Sequence, residues 1–386
     1  MRTSVVVVSL QPGDWLEECL RSVTAEADEV VLVDNGSADA TASIVGRRMG
    51  VTVVRSRVNL GFAGGVNLGV RHASGDVVAL LNDDASAHPG WLARAADALA
   101  APDVAAVTPK VLHSGLYVAV TLADEPWQAP GDERILGRRV ERVEADGVDV
   151  LARVAGPGVY HLEVDEAGNR WRWSRPGQPV YVPVPHPGAE VCIDGEQFTG
   201  PVCRLVNKAG TYLAVDGILG DVGDNEPDDG RFDEPGEQFF ASGTALAMRA
   251  ETFARVGDLA EPLFAYFEDA DWSWRARLGG LRIVYDPRAV VDHRQSATSG
   301  GWSTQWVRRW VPANHAACLL RNAPLPHAYQ AIRRHLEEVR HDQARLALLS
   351  RIPWALRGRP GLSRTWALDP TEVWDRWAGV GAPTGV

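Results

Sequence analysis

Gly75-Asp76-Val77-Val78-Ala79-Leu80-Leu81-Asn82-Asp83-Asp84 is the stretch on which the reading of this chain turns. Val77 to Leu81 is a continuous apolar run of strand length, and Asn82, Asp83 and Asp84 end it abruptly. The acids are therefore expected where a buried strand surfaces. In an open parallel sheet, ligands collect at the carboxyl ends of strands. Two adjacent carboxylates there are costly unless a cation joins them. A hard divalent ion, which takes carboxylate oxygen and leaves the rest of its shell to phosphate and water, meets that need. The plainer alternative is a solvated turn with a helix cap.

The residues upstream repeat the pattern. Ser4 to Leu10 is a buried β run, and Asp14 opens a helix with Glu17 at capping-box spacing and an apolar stripe of Leu16, Cys19, Leu20 and Val23. Glu29 to Val33 is a second β run ending at Asp34-Asn35-Gly36-Ser37, Ala38 to Met49 reads as a helix, and Val51 to Arg55 as a third strand. A glycine-rich entry into a helix follows, from Asn59 through Gly61, Gly64 and Gly65 to Asn67. Strands alternating with helices in this way predict a doubly wound, mostly parallel α/β sheet with right-handed crossovers. The glycines miss the G-x-G-x-x-G spacing and follow the third strand rather than the first, and no P-loop lysine is present. Nicotinamide and P-loop readings are disfavoured. The glycines either permit close packing in a tight turn or bring backbone N–H groups to a phosphate or sugar.

Composition sets the outer limits. With 386 residues, 45% hydrophobic and 23% charged, the chain has the make-up of a soluble globular protein of one large or two ordinary domains. Cys19, Cys192, Cys203 and Cys318 are scattered without a C-x-x-C pair, which implies reduced thiols, although Cys192 and Cys203 are a candidate pair. Met1 runs almost directly into the first strand and no apolar run approaches the length of a membrane span, so a cytoplasmic location is expected. The net charge of −11 is uneven: residues 301–386 hold 12 Arg, no Lys and 6 acids, leaving −17 on the first 300 residues. An acidic body argues against a nucleic-acid partner. The basic end carries 7 of the 14 Trp, a make-up that either rests on a membrane surface or anionic acceptor or packs on the rest of the chain.

After a helix from Trp91 to Ala100 and a strand from Val104 to Val107, the alternation breaks. Between Tyr117 and Leu205 short β-like runs punctuated by Gly and Pro predict a small antiparallel module inserted into the α/β domain. Trp171, Trp173 and Tyr181 form either a sugar-stacking face there or part of its core. Residues 221–237 hold 8 acids in 17 positions but lack the order of an EF-hand, and read as a loop. The α/β chain resumes at Phe239 and reaches a second cluster, Phe264-Ala265-Tyr266-Phe267-Glu268-Asp269-Ala270-Asp271-Trp272-Ser273-Trp274. Three carboxylates among five aromatics are placed for desolvation to raise a carboxylate's pKa, the tuning a general base needs. Leu281 to Tyr285 and Ala289 to Val291 read as two strands, followed by Asp292-His293.

Taken together, these motifs resemble the family 2 glycosyltransferases, inverting and metal-dependent enzymes of GT-A fold, and within them the rhamnosyltransferase-like branch. The resemblance covers roughly half the chain, from Ser4 to about Val111 and from about Asn207 to His293. It implies an Mg²⁺ or Mn²⁺ cofactor, a nucleotide-diphosphate sugar donor (dTDP-rhamnose or a UDP-sugar) and a glycan, lipid-linked or small-molecule acceptor. It places Asp34, Asn59, Gly64, Asn67, Asn82 and Asp83 on the donor side, and Asp84 and His293 at the metal. Asn82 stands where many members carry the first Asp of a D-x-D motif. Asp269 matches the catalytic base, with Glu268 as a second catalytic acid beside it, and Asp271 and Trp272 stand on the acceptor side. The implied organisation is a nucleotide-sugar part over 1–116, the β-rich insertion over 117–205, an acceptor and catalytic part over 206–300 and a helical region over 301–386.

Two other classes compete. A sugar nucleotidyltransferase would carry a glycine-rich basic loop after the first strand, and Leu10-Gln11-Pro12-Gly13-Asp14 is not one. A non-catalytic carbohydrate-binding protein would not need Asp84, Asp269 and His293 together.

Overall fold

The computed structural model describes residues 1–294, 304–338 and 342–382. The chain forms two compact units, one of residues 1–111, 208–222 and 232–386 and the other of residues 112–207 and 223–231.

The larger unit is built on a sheet whose first strands are β1 (Thr3–Ser9), β2 (Glu29–Asn35), β3 (Thr52–Ser56) and β4 (Val77–Asn82), with β5 (Ala85–Ala87) and β6 (Val104–His113) after them. Three more strands, β7 (Gly236–Glu237), β8 (Ala245–Arg249) and β9 (Arg282–His293), complete its main path, in the order β7-β9-β6-β8-β4-β1-β2-β3. β4, β1, β2 and β3 are mutually parallel, and β8 runs antiparallel between β4 and β6. The runs Val5–Val8 and Val77–Leu81 are apolar at every position because both faces of the sheet are covered. Val5, Val7, Leu32, Ala79 and Leu81 share a core with α1 (Trp15–Thr24), α2 (Thr41–Arg48) and α4 (Trp91–Ala98). Val6, Val33, Val78 and Leu80 face α3 (Gly61–His72), α5 (Ala250–Val256) and α6 (Glu268–Leu278).

Two local readings are corrected. Asp14 makes no side-chain cap to α1, and Glu17 pairs instead with Arg21 at 2.7 Å and with Arg48. Arg282–His293 is one strand rather than two, with Pro287 between the part that pairs with β7 and the part that pairs with β5.

The helical C-terminal region comprises α7 (Gln305–Asn322), α8 (Leu325–Glu338), α9 (Asp342–Leu362) and α10 (Pro370–Trp377). It encloses a third core with Trp274 and Leu278 of α6, so α6 is covered both by the sheet and by this bundle. Here the packing reading of the tryptophans holds. Trp374 and Trp377 are buried, and Trp310, Trp354 and Trp366 pack against the same core. Arg351 covers Trp310, Arg321 covers Trp354 and Arg277 covers Trp377 at 4.7, 4.6 and 3.9 Å. Trp302 lies outside the described residues. Among those residues no helix is long and apolar enough to cross a membrane.

The smaller unit contains three antiparallel sheets around a core that includes Val118, Val143, Leu151, Val182 and Ile193. Tyr181 is buried with Tyr117 and Leu205, whereas Trp171 and Trp173 are half-buried, so the three do not form one sugar-stacking face. All four cysteines are free.

Candidate active site

The carboxyl ends of β1, β2 and β4 are level, with Ser9 opposite Asp34 and Val8 opposite Asn82. Directly beyond β4 the chain turns at Asp83-Asp84 and enters β5, which pairs antiparallel with the end of β9 so that Ala85 faces His293. The Arg294 N–H donates to the Asp84 carbonyl at 3.0 Å. This pairing sets His293 Nε2 3.2 Å from Asp84 Oδ1, with both side chains nearly buried. Asp83 accepts from Ser9 Oγ at 2.6 Å. The two acids do not surface at the strand end as expected; both are buried.

Asp269 comes to the same place through the turn before β8. The Gly243 N–H donates to Asp269 Oδ2 at 2.7 Å, and one residue on, the Thr244 carbonyl accepts from the Asn82 N–H at 2.9 Å. The two acidic clusters, remote in sequence, thus meet on one short turn. A Cβ at position 243 would lie 3.0 Å from the Phe62 ring and 3.3 Å from the Asp269 carboxylate, so a side chain there would require these neighbours to give by a few tenths of an ångström. Asp269 is half-buried.

Glu268 is buried, and one of its oxygens has no hydrogen-bond partner among the described residues. Burial, then the charge of Asp269, pushes its carboxyl well above the ordinary Glu range. The folded chain therefore keeps a proton that the unfolded chain releases, so this group's contribution to stability is fullest below the ordinary Glu range and falls as pH rises toward the raised value. Glu268→Gln keeps the protonated shape and should flatten that slope. Identical pH dependence of the denaturant midpoints of variant and wild type would refute this.

Several residues expected at the donor side serve the scaffold. Asp34 is fully buried: burial opposes its charge, but the Ser37 and Ser43 hydroxyls, the Ser37 N–H and Arg55 hold its carboxyl below the ordinary Asp range. It ties down the turn after β2. Asn67 is also fully buried, donating to the Leu259 carbonyl at 3.0 Å and accepting from the Leu259 N–H at 2.9 Å. The glycines follow the close-packing reading. A Cβ at Gly65 would stand 2.6 Å from Val8 and one at Gly69 2.3 Å from Val6, so α3 lies directly on β1. Gly64 is buried within that helix, with room on its Cβ side blocked by Leu60. Asn59 is exposed and accepts from Asn35 Nδ2 and the Gly61 N–H. Asn82 is half-buried beside Asp83.

The acceptor-side expectations are corrected too. Asp271 has no exposed surface and binds Arg275 at 2.9 Å, Arg321 at 2.7 Å and Asn322 at 2.9 Å. Trp272 is buried against the sheet, stacked on Phe253 at 6.1 Å. Asp269 is the one residue of α6 that is not buried, and Asp271, two residues on, points to a different side of the helix. Ser9 and Thr244 were not singled out by the sequence, whereas Ser242-Gly243 belongs to the motifs that carry the family resemblance; only the position of Ser9 and Thr244 after or before an apolar strand run points to them.

The glycosyl transferase family 2 model matches residues 4–147. No curated protein matches the chain in sequence. Among solved structures, GalNAc-T7 with UDP, GalNAc and Mn²⁺ is similar at 14% identity and a TM-score of 0.54, over 94% of this chain and 55% of that one. The chain thus spans about half the length of that protein. The mannosyltransferase PcManGT of Pyrobaculum calidifontis, with GDP-Man and Mn²⁺, is 16% identical over 97% of this chain and 79% of its own, at a TM-score of 0.41. Glucosyl-3-phosphoglycerate synthase of Mycobacterium tuberculosis, with Mn²⁺, UDP and glucosyl-3-phosphoglycerate, is 22% identical over 28% of this chain and 44% of its own, at a TM-score of 0.26. Over residues 4–147 the chain is thus similar to the family 2 glycosyltransferases, and its larger unit has a fold of GT-A type.

Proposed function

We propose that the chain transfers a sugar, with inversion, from a nucleotide-diphosphate donor to an acceptor hydroxyl on a glycan, lipid-linked or small-molecule acceptor. The observation that carries this reading is the convergence of the Asp84–His293 pair and Asp269 around the Ser242–Thr244 turn at the carboxyl ends of the strands. dTDP-rhamnose is the first donor to test, as the rhamnosyltransferase-like branch would use, and UDP-sugars are next. Residues 1–116 would serve the nucleotide sugar and 206–300 the acceptor and the chemistry, with 117–205 inserted and 301–386 packed behind.

The residues present fit a divalent cation, Mn²⁺ or Mg²⁺. Asp84 Oδ1 and His293 Nε2 are 3.2 Å apart, close to the spacing of adjacent corners of an octahedron with bonds of about 2.1 Å. Among the described residues no group of three or more His, Cys, Asp or Glu is arranged to hold an ion, so phosphate and water would have to complete its shell. When bound, it would supply electrostatic stabilisation of the departing diphosphate. The protein's own part is to hold the donor against the strand ends and to present Asp269 to the acceptor. Asp269 takes the hydroxyl proton as that oxygen attacks the anomeric carbon and the sugar–phosphate bond breaks, a single displacement. Hydrolases instead flank the bond with two carboxylates and need no nucleotide site.

The test is to incubate the protein with Mn²⁺ or Mg²⁺ and a panel of nucleotide sugars and record which nucleoside diphosphate is released; no release from any donor would count against transfer. Asp84→Ala should remove metal-dependent affinity for the released nucleotide, a larger loss than the roughly 10- to 100-fold typical of a group that only supports a metal ligand, and His293→Ala should weaken it less. Undiminished affinity of Asp84→Ala by calorimetry in the presence of Mn²⁺ would sink the metal assignment.

A further inference from the structure

The segment just before α6 has an unusual backbone. Phe264, Tyr266 and Phe267 all have positive φ, at 66°, 71° and 71°. Bulky side chains rarely adopt this region, and such strain persists only where the surroundings over-determine it. Two elements supply the constraint. From α3, the Ala63 N–H donates to the Phe264 carbonyl at 3.1 Å, and Gly61 lies so close that a Cβ there would stand 2.4 Å from the same oxygen. From α7, Asn314 Nδ2 lies 2.7, 2.9 and 3.2 Å from the carbonyls of Leu263, Ala265 and Tyr266, its two hydrogens shared among the three.

Asn314 is fully buried between Ala313 and His315 of α7. Its orientation is fixed by chemistry, because three carbonyls can only accept and so must face the NH₂ half of the amide. Its Oδ1 has no hydrogen-bond partner among the described residues, so the donor half is what the position uses. The residues after this loop are Glu268 and Asp269, with no intervening residue to absorb a shift. Trp306, also on α7, packs against the Phe264 and Tyr266 rings at 5.9 and 6.0 Å.

We infer that Asn314 is a positioning residue: through three backbone carbonyls it holds the strained 263–267 loop, and thereby sets Asp269 against the Gly243 N–H in the geometry for proton transfer. This rests on the reading of Asp269 as the base. The C-terminal helices are then part of the machinery of the reaction rather than an appendage to it.

The test uses the full chain with Mn²⁺, reading turnover as nucleoside diphosphate released from dTDP-rhamnose or UDP-glucose, dTDP and UDP affinity by calorimetry, and amide hydrogen exchange over 264–268. Asn314→Ala is expected to lower kcat by about 10²-fold, the cost of misplacing a reacting group by about 1 Å. Nucleotide affinity should stay within about twofold, and exchange in the loop should accelerate. Asn314→Ser, which keeps one donor, should fall between, and it carries the test if the alanine variant does not fold. Asn322→Ala, on the same helix but bonded to Asp271, should lose stability without loosening 264–268. If Asn314→Ala and Asn314→Ser turn over at the wild-type rate while Asp269→Asn is inactive, the positioning role alone is wrong. Slowing that only matches the lost folded fraction overturns it equally. Wild-type turnover by Asp269→Asn overturns the base and this inference with it.

Discussion

Asp269→Asn is expected to lower kcat by about 10²–10⁴, the usual range for losing acid–base catalysis, while nucleotide binding is kept. The amide keeps the shape, and it can still accept from the Gly243 N–H that fixes the side chain at 2.7 Å. It cannot take a proton. Glu268, one residue away, offers the sharpest control. Burial and the neighbouring Asp269 charge make its carboxyl hold its proton well above the ordinary Glu range, and a carboxylic acid that keeps its proton is a donor, not a base. Glu268→Gln reproduces that neutral form and should therefore turn over near the wild-type rate. The two variants compared side by side decide the assignment. If Glu268→Gln is inactive and Asp269→Asn active, the base has been placed one residue too late, and if both are active the base lies outside this cluster.

How much of this was legible beforehand differs by element, for physical reasons. The middles of β1, β2 and β4, Val5–Val8, Val30–Val33 and Val77–Leu81, are apolar at every position because helices cover both faces, and a run of that kind identifies itself. Asp84 and Asp269 stand directly at the end of such a strand and at the start of a helix, where a polar residue against an apolar run is conspicuous. The ladder between Ala85–Ala87 and the end of β9, which brings His293 to Asp84, is a long-range pairing of short segments, and no local pattern encodes it. Residue type alone also misleads where a polar group is buried with its partners. Asp34 and Asn67 looked available to a ligand but are consumed by Ser37, Ser43, Arg55 and Leu259. Asn314 lies within Ala313-Asn314-His315-Ala316-Ala317 and gives no local sign that three carbonyls await it. The tryptophans of the basic region were ambiguous for a related reason, since arginines that stack on buried rings and arginines that face a membrane have the same composition.

Asp271 carries the largest expected effect on stability. Its carboxylate is shared by Arg275 from its own helix and Arg321 from α7, with Asn322 adding a third donor, and none of these groups is exposed to any extent that water could use. Burial opposes the charge of Asp271, yet the two guanidiniums hold its carboxyl below the ordinary Asp range, so the site contains an anion between two cations. Replacing such a group by an uncharged one leaves two buried cations facing each other, at a cost of about 3–5 kcal/mol. Asp271→Asn should therefore lower the free energy of unfolding by about that amount in a denaturant titration, with kcat per folded molecule changed far less than by Asp269→Asn. Had Asp271 bound the acceptor, the same substitution would instead raise the acceptor KM and leave stability alone. The penalty belongs to the unmatched charges rather than to the loss of the pair itself. Replacing all three ionic residues together, as Asp271→Leu with Arg275→Met and Arg321→Met, should recover a large part of it. A triple variant as unstable as Asp271→Asn would mean that the contacts Arg275 makes to the carbonyls of Val256, Gly257 and Asp258 contribute more than charge balance does, and that this triad chiefly fixes the end of α5.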